Sequence, residues 1–302
     1  LILLLVSCSD KYEKRQFYAM GTLLEITYPP EADIKTVIKT ITDSEKEIKN
    51  FENAYNGAPE GSSFGVDGLW TEVFRTAFGY QSLSGGRFDI RALTLTSLYG
   101  FPEGPYAVPD NETLKKAMEV VASKPILFMN GKLVKENAML KISTGAFTKG
   151  MIVDKAVKKM KESGAASGIV NAGGDLYALG KKGKAKWRVG IRHPDNPNDV
   201  ISAVSISDKA VATSGDYERF FEQNGVRYHH IFDMKTGKSA DIYRSVSVIA
   251  DTCEEADGLA TVFFLIPETE AAELCKRTGT PVLLYTKDNR TLRLCGWGSF
   301  ES

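Results

Sequence analysis

Four segments of this 302-residue chain concentrate the side chains and glycines that could do chemistry. In Glu254-Glu-Ala-Asp-Gly-Leu-Ala-Thr261, Asp257 and Thr261 are four apart on an expected helix. That spacing puts a carboxylate and a hydroxyl on one face, both hard oxygen donors suited to Mg²⁺. Two side chains do not complete an octahedral shell, so a carbonyl, waters or phosphates must supply the rest. The segment Lys141-Ile-Ser-Thr-Gly-Ala-Phe-Thr-Lys-Gly150 reads as a strand that breaks at Gly145 and feeds a helix. Free amides at such a helix start suit phosphate, although Ser143 or Thr144 as a plain N-cap gives the same local pattern. Asn171-Ala-Gly-Gly-Asp-Leu176 holds a glycine pair where backbone can approach a ligand closely, and equally reads as a tight turn. The last segment runs Ala212 to Arg219 and Arg227-Tyr-His-His-Ile-Phe-Asp233, and contains two of the three histidines, His229 and His230. Neighbours on a strand face opposite sides, so only one of them can enter a given cleft as a proton carrier.

The elements that must hold these segments follow from periodicity. Ile34, Val37, Ile38, Ile41 and Ile48 recur at helical spacing, as do Leu69, Val73, Phe74, Ala77 and Tyr80. A hairpin is expected over 126–142 with Asn130-Gly131 as its turn, because both residues accept positive φ. Short strands are expected near 168–170, 187–191, 201–206, 228–232 and 246–250, and helices over 148–161, 254–264 and 268–277. The result is a mixed α+β protein, with two lobes expected.

Composition narrows the partners. Lys plus Arg and Asp plus Glu both number 38, so the formal net charge is zero and the electrostatic footprint of a nucleic-acid binder is missing. No apolar run approaches the roughly 18 residues of a membrane-spanning helix. Residues 1–8 differ from the rest: Leu1 to Val6 is wholly apolar, Ser7-Cys8 follows, and charge begins at Asp10. The stretch resembles a secretion-signal remnant ending in a bacterial lipobox, with Cys8 as the lipidated residue. A signal cut elsewhere or a buried first strand are the alternatives. A lipid anchor would make the exported protein's only membrane contact and hold it at the extracytoplasmic face. Cys253, Cys275 and Cys295 have no metal spacing and read as small core residues. They allow at most one bridge, the pair being open.

Taken in order, Met20-Gly21-Thr22, Gly85-Gly86-Arg87-Phe88-Asp89, Gly145-Ala146-Phe147-Thr148-Lys149-Gly150 with Asp154, the histidine segment, and Ala256-Asp257-Gly258-Leu259-Ala260-Thr261 resemble the ApbE family, the FAD:protein FMN transferases. The resemblance covers residues 9–302 nearly throughout. It implies a two-lobed α+β fold with the flavin nucleotide in the cleft between lobes, and a Mg²⁺ held by the Ala146 carbonyl, Asp257 and Thr261. FAD contacts would fall on Met20, Arg87, Phe88, Asp89, Ser143, Lys149 and His230. Tyr55 would stack on the dinucleotide, in a stretch, Asn53 to Gly61, that departs from the family pattern. The implied reaction moves FMN from FAD to a Ser or Thr hydroxyl of an acceptor protein, a membrane redox subunit, and releases AMP. His230 would be the base, oriented by Asp216 or Asp233. Mg²⁺-dependent FAD pyrophosphatase activity and flavin binding without chemistry are the competing readings.

Overall fold

The computed structural model describes residues 12–196 and 198–302. Cys8, the expected lipidation site, lies outside the described residues. The chain divides into two compact units, each discontinuous in sequence. The first comprises residues up to Lys46, Gly145–Gly215 and Ile242–Ser302; the second comprises Glu47–Thr144 and Asp216–Asp241.

The first unit is built on an eight-stranded antiparallel sheet. Its strands, in spatial order, are Glu13–Ala19, Thr22–Tyr28, Gly168–Ala172, Asp175–Leu179, Lys209–Gly215, Tyr243–Ala250, Val282–Thr286 and Thr291–Leu294. Side chains alternate across the sheet, so Ile169, Leu176, Ala178, Val211, Ile249 and Leu283 share one face. There they pack with Trp187, Val189, Ile191, Val204, Ile206 and Trp297, contributed largely by the two-stranded ribbon Trp187–Arg192 and Val200–Ile206. The helices Thr148–Glu162 and Cys253–Leu265 pack against each other and against the central strands. The second of these buries every residue from Ala256 to Leu265, mostly apolar, as expected of a helix enclosed in a core. Its first amides are satisfied from outside the helix. The Asp154 carboxylate accepts from Cys253 and Glu254 at 2.8 and 2.9 Å, and Thr252 Oγ1 accepts from Glu255.

In the second unit, the helices Gly68–Leu83 and Asn111–Ser123 accompany a three-stranded sheet of Ser63–Gly65, Lys132–Val134 and Leu127–Met129. Asn130 and Gly131 form the hairpin turn with φ of 52° and 73°, as the dipeptide predicts. The returning strand stops at Val134, well short of Ile142. The histidine segment is a hairpin of Phe220–Gln223 and Val226–His229, followed by the short pair Phe232–Asp233 and Lys238–Ser239. The single strand expected over 228–232 is therefore interrupted at His230 and Ile231.

The three cysteines form the one bridge the sequence allows: Cys275, itself buried, and Cys295 are joined by a disulfide across 20 residues, while Cys253 is buried and free. The bridge ties the helix Glu268–Thr278 to the chain following the strand Thr291–Leu294. Closing a loop of this length stabilises a fold by about 3 kcal/mol, chiefly by restricting the unfolded chain. Replacing both cysteines by serine should lower the free energy of chemical denaturation by about that amount, and reduced wild type should match the variant.

Candidate active site

Asp257 and Thr261 are the polar exceptions on a buried apolar helix, 4% and 8% exposed. Burying a carboxylate and a hydroxyl is costly unless something uses them. The Thr261 hydroxyl lies 3.4 Å from the Ala146 carbonyl oxygen and 3.1 Å from Ser214 Oγ. Asp257 Oδ2 accepts from the Gly150 amide at 3.0 Å, and Oδ1 lies 3.9 Å from Lys149 Nζ. The three oxygen groups named for a cation are thus brought together at the start of the helix Thr148–Glu162. Burial, with the Asp175 carboxylate second, pushes Asp257 above the usual carboxylate range, while Lys149 and the Gly150 amide pull the other way.

The start of that helix differs from the sequence expectation. Residues 140–144 are not a strand, and the N-cap is Phe147, not Ser143 or Thr144. Ser143 donates its amide to the Ile90 carbonyl, and Thr144 donates its amide and hydroxyl to Glu52 at 2.6 and 2.8 Å. Gly150 is obligatory for the geometry of Asp257. A Cβ there would fall 2.2 Å from the Cys253 carbonyl oxygen, so only glycine lets the two helices approach. Gly150→Ala should therefore cost about 1–3 kcal/mol and also weaken any cation bound at Asp257. Denaturation and metal titration of the variant measure the two effects separately.

Met20 and Gly21 form a two-residue hairpin turn with φ of 54° and 68°. Positive φ at a methionine costs about 1 kcal/mol, and here the Met20 amide is held by Glu45 Oε1 at 2.8 Å. The glycine pair packs onto this turn. Gly173 donates to the Leu23 carbonyl, and a Cβ on it would meet Thr22 Oγ1 at 2.1 Å, while Gly174 is capped by Asn171 Oδ1. The tight-turn reading of this segment holds, and the turn also brings Asp175 onto Lys149.

In the second unit the two histidines separate cleanly. His229 is 1% exposed; its Nε2 meets the Ala240 carbonyl at 2.7 Å and its Nδ1 accepts from the Ile231 amide, so both ring nitrogens serve the fold. His230 is half-buried, with Nδ1 3.3 Å from the Arg219 carbonyl. A carbonyl only accepts, so Nδ1 is the donor in that contact. Asp233 does not orient this ring as expected. Its carboxylate pairs with Arg87 and caps the Lys235 amide, and Asp216 is buried with the Arg227 guanidinium 3.6 Å away.

Phe88 and Asp89 are buried, and Asp89 is engaged by Arg91 and by Gln81 Nε2, so these side chains build the segment's frame. Beside them lies a cavity of about 300 Å³ whose lining includes Gln81, Gly86, Asp89, Arg91, Met118 and Lys235. Tyr55 corrects the sequence reading. It is 1% exposed, belongs to the helix Ile34–Gly57, and packs against Phe64 with the Lys135 ammonium 5.3 Å from its ring centre, so it has no face to offer a ligand. Lys135, wholly buried, donates to the carbonyls of Tyr55 and Asn56 and closes that helix.

Among the described residues, no group of three or more His, Cys, Asp or Glu is gathered as for a metal. One carboxylate, one hydroxyl and one carbonyl nevertheless suit a hard cation that keeps waters or phosphate oxygens, so the donor chemistry fits Mg²⁺. Glu45, Asp175 and Ser214 join the sequence-predicted residues as supports. Asp175 and Ser214 lay in segments already singled out; nothing local marked Glu45.

Fold and site define a mixed α+β protein with buried oxygen groups, Asp257 and Thr261, on an otherwise apolar stretch of helix. The ApbE family model matches residues 20–284, and the chain belongs to the ApbE family. It is 28% identical to an FAD:protein FMN transferase of Vibrio cholerae, over 99% of this chain and 96% of that relative. With an FAD:protein FMN transferase of Treponema pallidum it shares 32% identity over 76% of this chain and 69% of the relative. The crystal structure of the ApbE protein of Thermotoga maritima superposes with a TM-score of 0.88 at 28% identity, covering 97% of this chain and all of that one. The flavin transferase ApbE of Vibrio cholerae gives 0.82 at 27% identity, with 96% and 99% covered.

Proposed function

We propose that this protein transfers FMN from FAD to a Ser or Thr hydroxyl of an acceptor protein, with AMP as the second product, and that it requires Mg²⁺. The observation that carries the reading is the convergence of Asp257, Thr261 and the Ala146 carbonyl on an otherwise apolar helix. These three groups would hold the cation. Bound there, it would supply neutralisation of the charge that develops on the departing phosphate.

The chain's own residues do the remaining work. The FAD contacts would be Met20, Arg87, Ser143, Lys149 and His230, with Phe88 and Asp89 shaping the segment around Arg87. Lys149 brings a held positive charge for phosphate oxygens. The acceptor hydroxyl oxygen bonds to the FMN phosphorus, and the P–O bond to the AMP phosphate breaks with the bridging oxygen leaving on AMP. The hydroxyl proton passes to Nε2 of His230.

The acceptor is a membrane redox subunit, and the enzyme is exported and tethered through a lipid on Cys8. The Cys275–Cys295 disulfide supports an oxidising compartment. No helix among the described residues is long and apolar enough to cross a membrane.

The test is incubation with FAD and Mg²⁺, with and without an acceptor polypeptide, followed by mass measurement. The acceptor should gain FMN as AMP accumulates. AMP with free FMN in the absence of acceptor would make the protein a pyrophosphatase, and unchanged FAD throughout would make it a flavin binder.

A further inference from the structure

Lys149 stands between two buried acids. Its Nζ is paired with Asp175 and lies 3.9 Å from Asp257 Oδ1, the two carboxylate side chains being only 4% and 6% exposed. Such an ammonium has two resting places, and the choice decides what Asp257 can do. The ammonium is shared unequally: it is paired with Asp175, while Asp257 Oδ1 stands just outside hydrogen-bond distance.

Asp175 is well placed to win that contest. It begins the strand Asp175–Leu179, pairs in register with Ala172, and follows a Gly173-Gly174 turn fixed by Asn171 and by the close approach of Thr22. On Asp257, Oδ2 is taken by the Gly150 amide, so Oδ1 is the oxygen a released Lys149 would reach. We propose that Asp175 is a positioning residue that keeps the Lys149 ammonium off Asp257 Oδ1 and so reserves that oxygen for a hard cation. The proposal rests on the cation reading of Asp257 and Thr261 given above. It also gives the glycine-pair segment a role, since the turn delivers an acid to Lys149. The ammonium, held to one side, remains beside the cation and available to phosphate.

A double-mutant cycle tests this without turnover. Mn²⁺ affinity of the full chain, without flavin, is measured by electron paramagnetic resonance for wild type, Asp175→Asn, Lys149→Met and the double variant. Asp175→Asn should weaken Mn²⁺ about tenfold while Lys149 is present, because the freed ammonium settles on Asp257. In the Lys149→Met background the same change should alter affinity less than about twofold. Equal factors in both backgrounds would show that Asp175 acts only as a distant charge and would overturn the proposal, as would an unaltered affinity in Asp175→Asn. Should Asp175→Asn fold poorly, Asp175→Ser in the two backgrounds gives the same comparison. Unchanged Mn²⁺ affinity in Asp257→Asn would remove the cation reading itself, an outcome distinct from failure of the cycle at Asp175.

Discussion

Replacing Asp257 by asparagine should lower FMN transfer by at least about 10²–10³-fold at millimolar Mg²⁺. It removes the only charged member of the oxygen set that would neutralise the leaving phosphate. Asparagine is the informative substitution because its carbonyl can still accept from the Gly150 amide at the position Asp257 Oδ2 occupies. Alanine would orphan that buried amide at a cost of about 1–3 kcal/mol and mix a folding defect into the kinetics. The wild-type site carries a pH signature as well. Because burial and Asp175 raise the Asp257 pKa, protons compete with the cation as pH falls through that raised value, and the proton-bound form is the one acid favours. The gain in melting temperature produced by Mg²⁺ should therefore shrink from pH 8 to pH 6, and Asp257→Asn should abolish both the gain and its pH dependence. Thermal melts with and without metal provide the check.

His230→Asn should slow transfer by about 10²–10⁴-fold while leaving FAD affinity within a few-fold of wild type, the pattern of a lost general base. The acid limb of the pH–rate profile should disappear with it. His229→Asn is the contrasting control. That ring bridges the Ala240 carbonyl and the Ile231 amide inside the second unit, so its loss should show first as reduced stability. Denaturation curves and single-turnover rates of the two variants separate the roles. A rate defect confined to His229→Asn would reverse the assignment.

Where function depends on local spacing, the sequence was readable. Asp257 and Thr261 lie four apart on one face of a continuous helix, and that geometry survives any tertiary context. Asn130-Gly131 declared its turn through the backbone freedom of those two residues. Long-range pairings were not readable. Nothing near Lys149 in sequence names Asp175 as its partner, and nothing near Met20 names Glu45. Of three cysteines, the fold alone selected Cys275 and Cys295. Tyr55 was misread because it borders a glycine and proline stretch, which resembles a surface loop. The helix instead runs on to Gly57, and Lys135, some 80 positions away, seals its end and buries the ring. The same applies to the start of the helix at Thr148, where serine and threonine suggested a side-chain cap that tertiary bonds to Ile90 and Glu52 replace.

Crystals grown with FAD and Mn²⁺ locate the cation by anomalous scattering. A single strong peak should fall within about 2.0–2.3 Å of the Ala146 carbonyl, Asp257 and Thr261 oxygens, with the remaining ligands drawn from water or the flavin pyrophosphate. A peak elsewhere, or metal-dependent transfer with these oxygens bare, would refute a cation at this place.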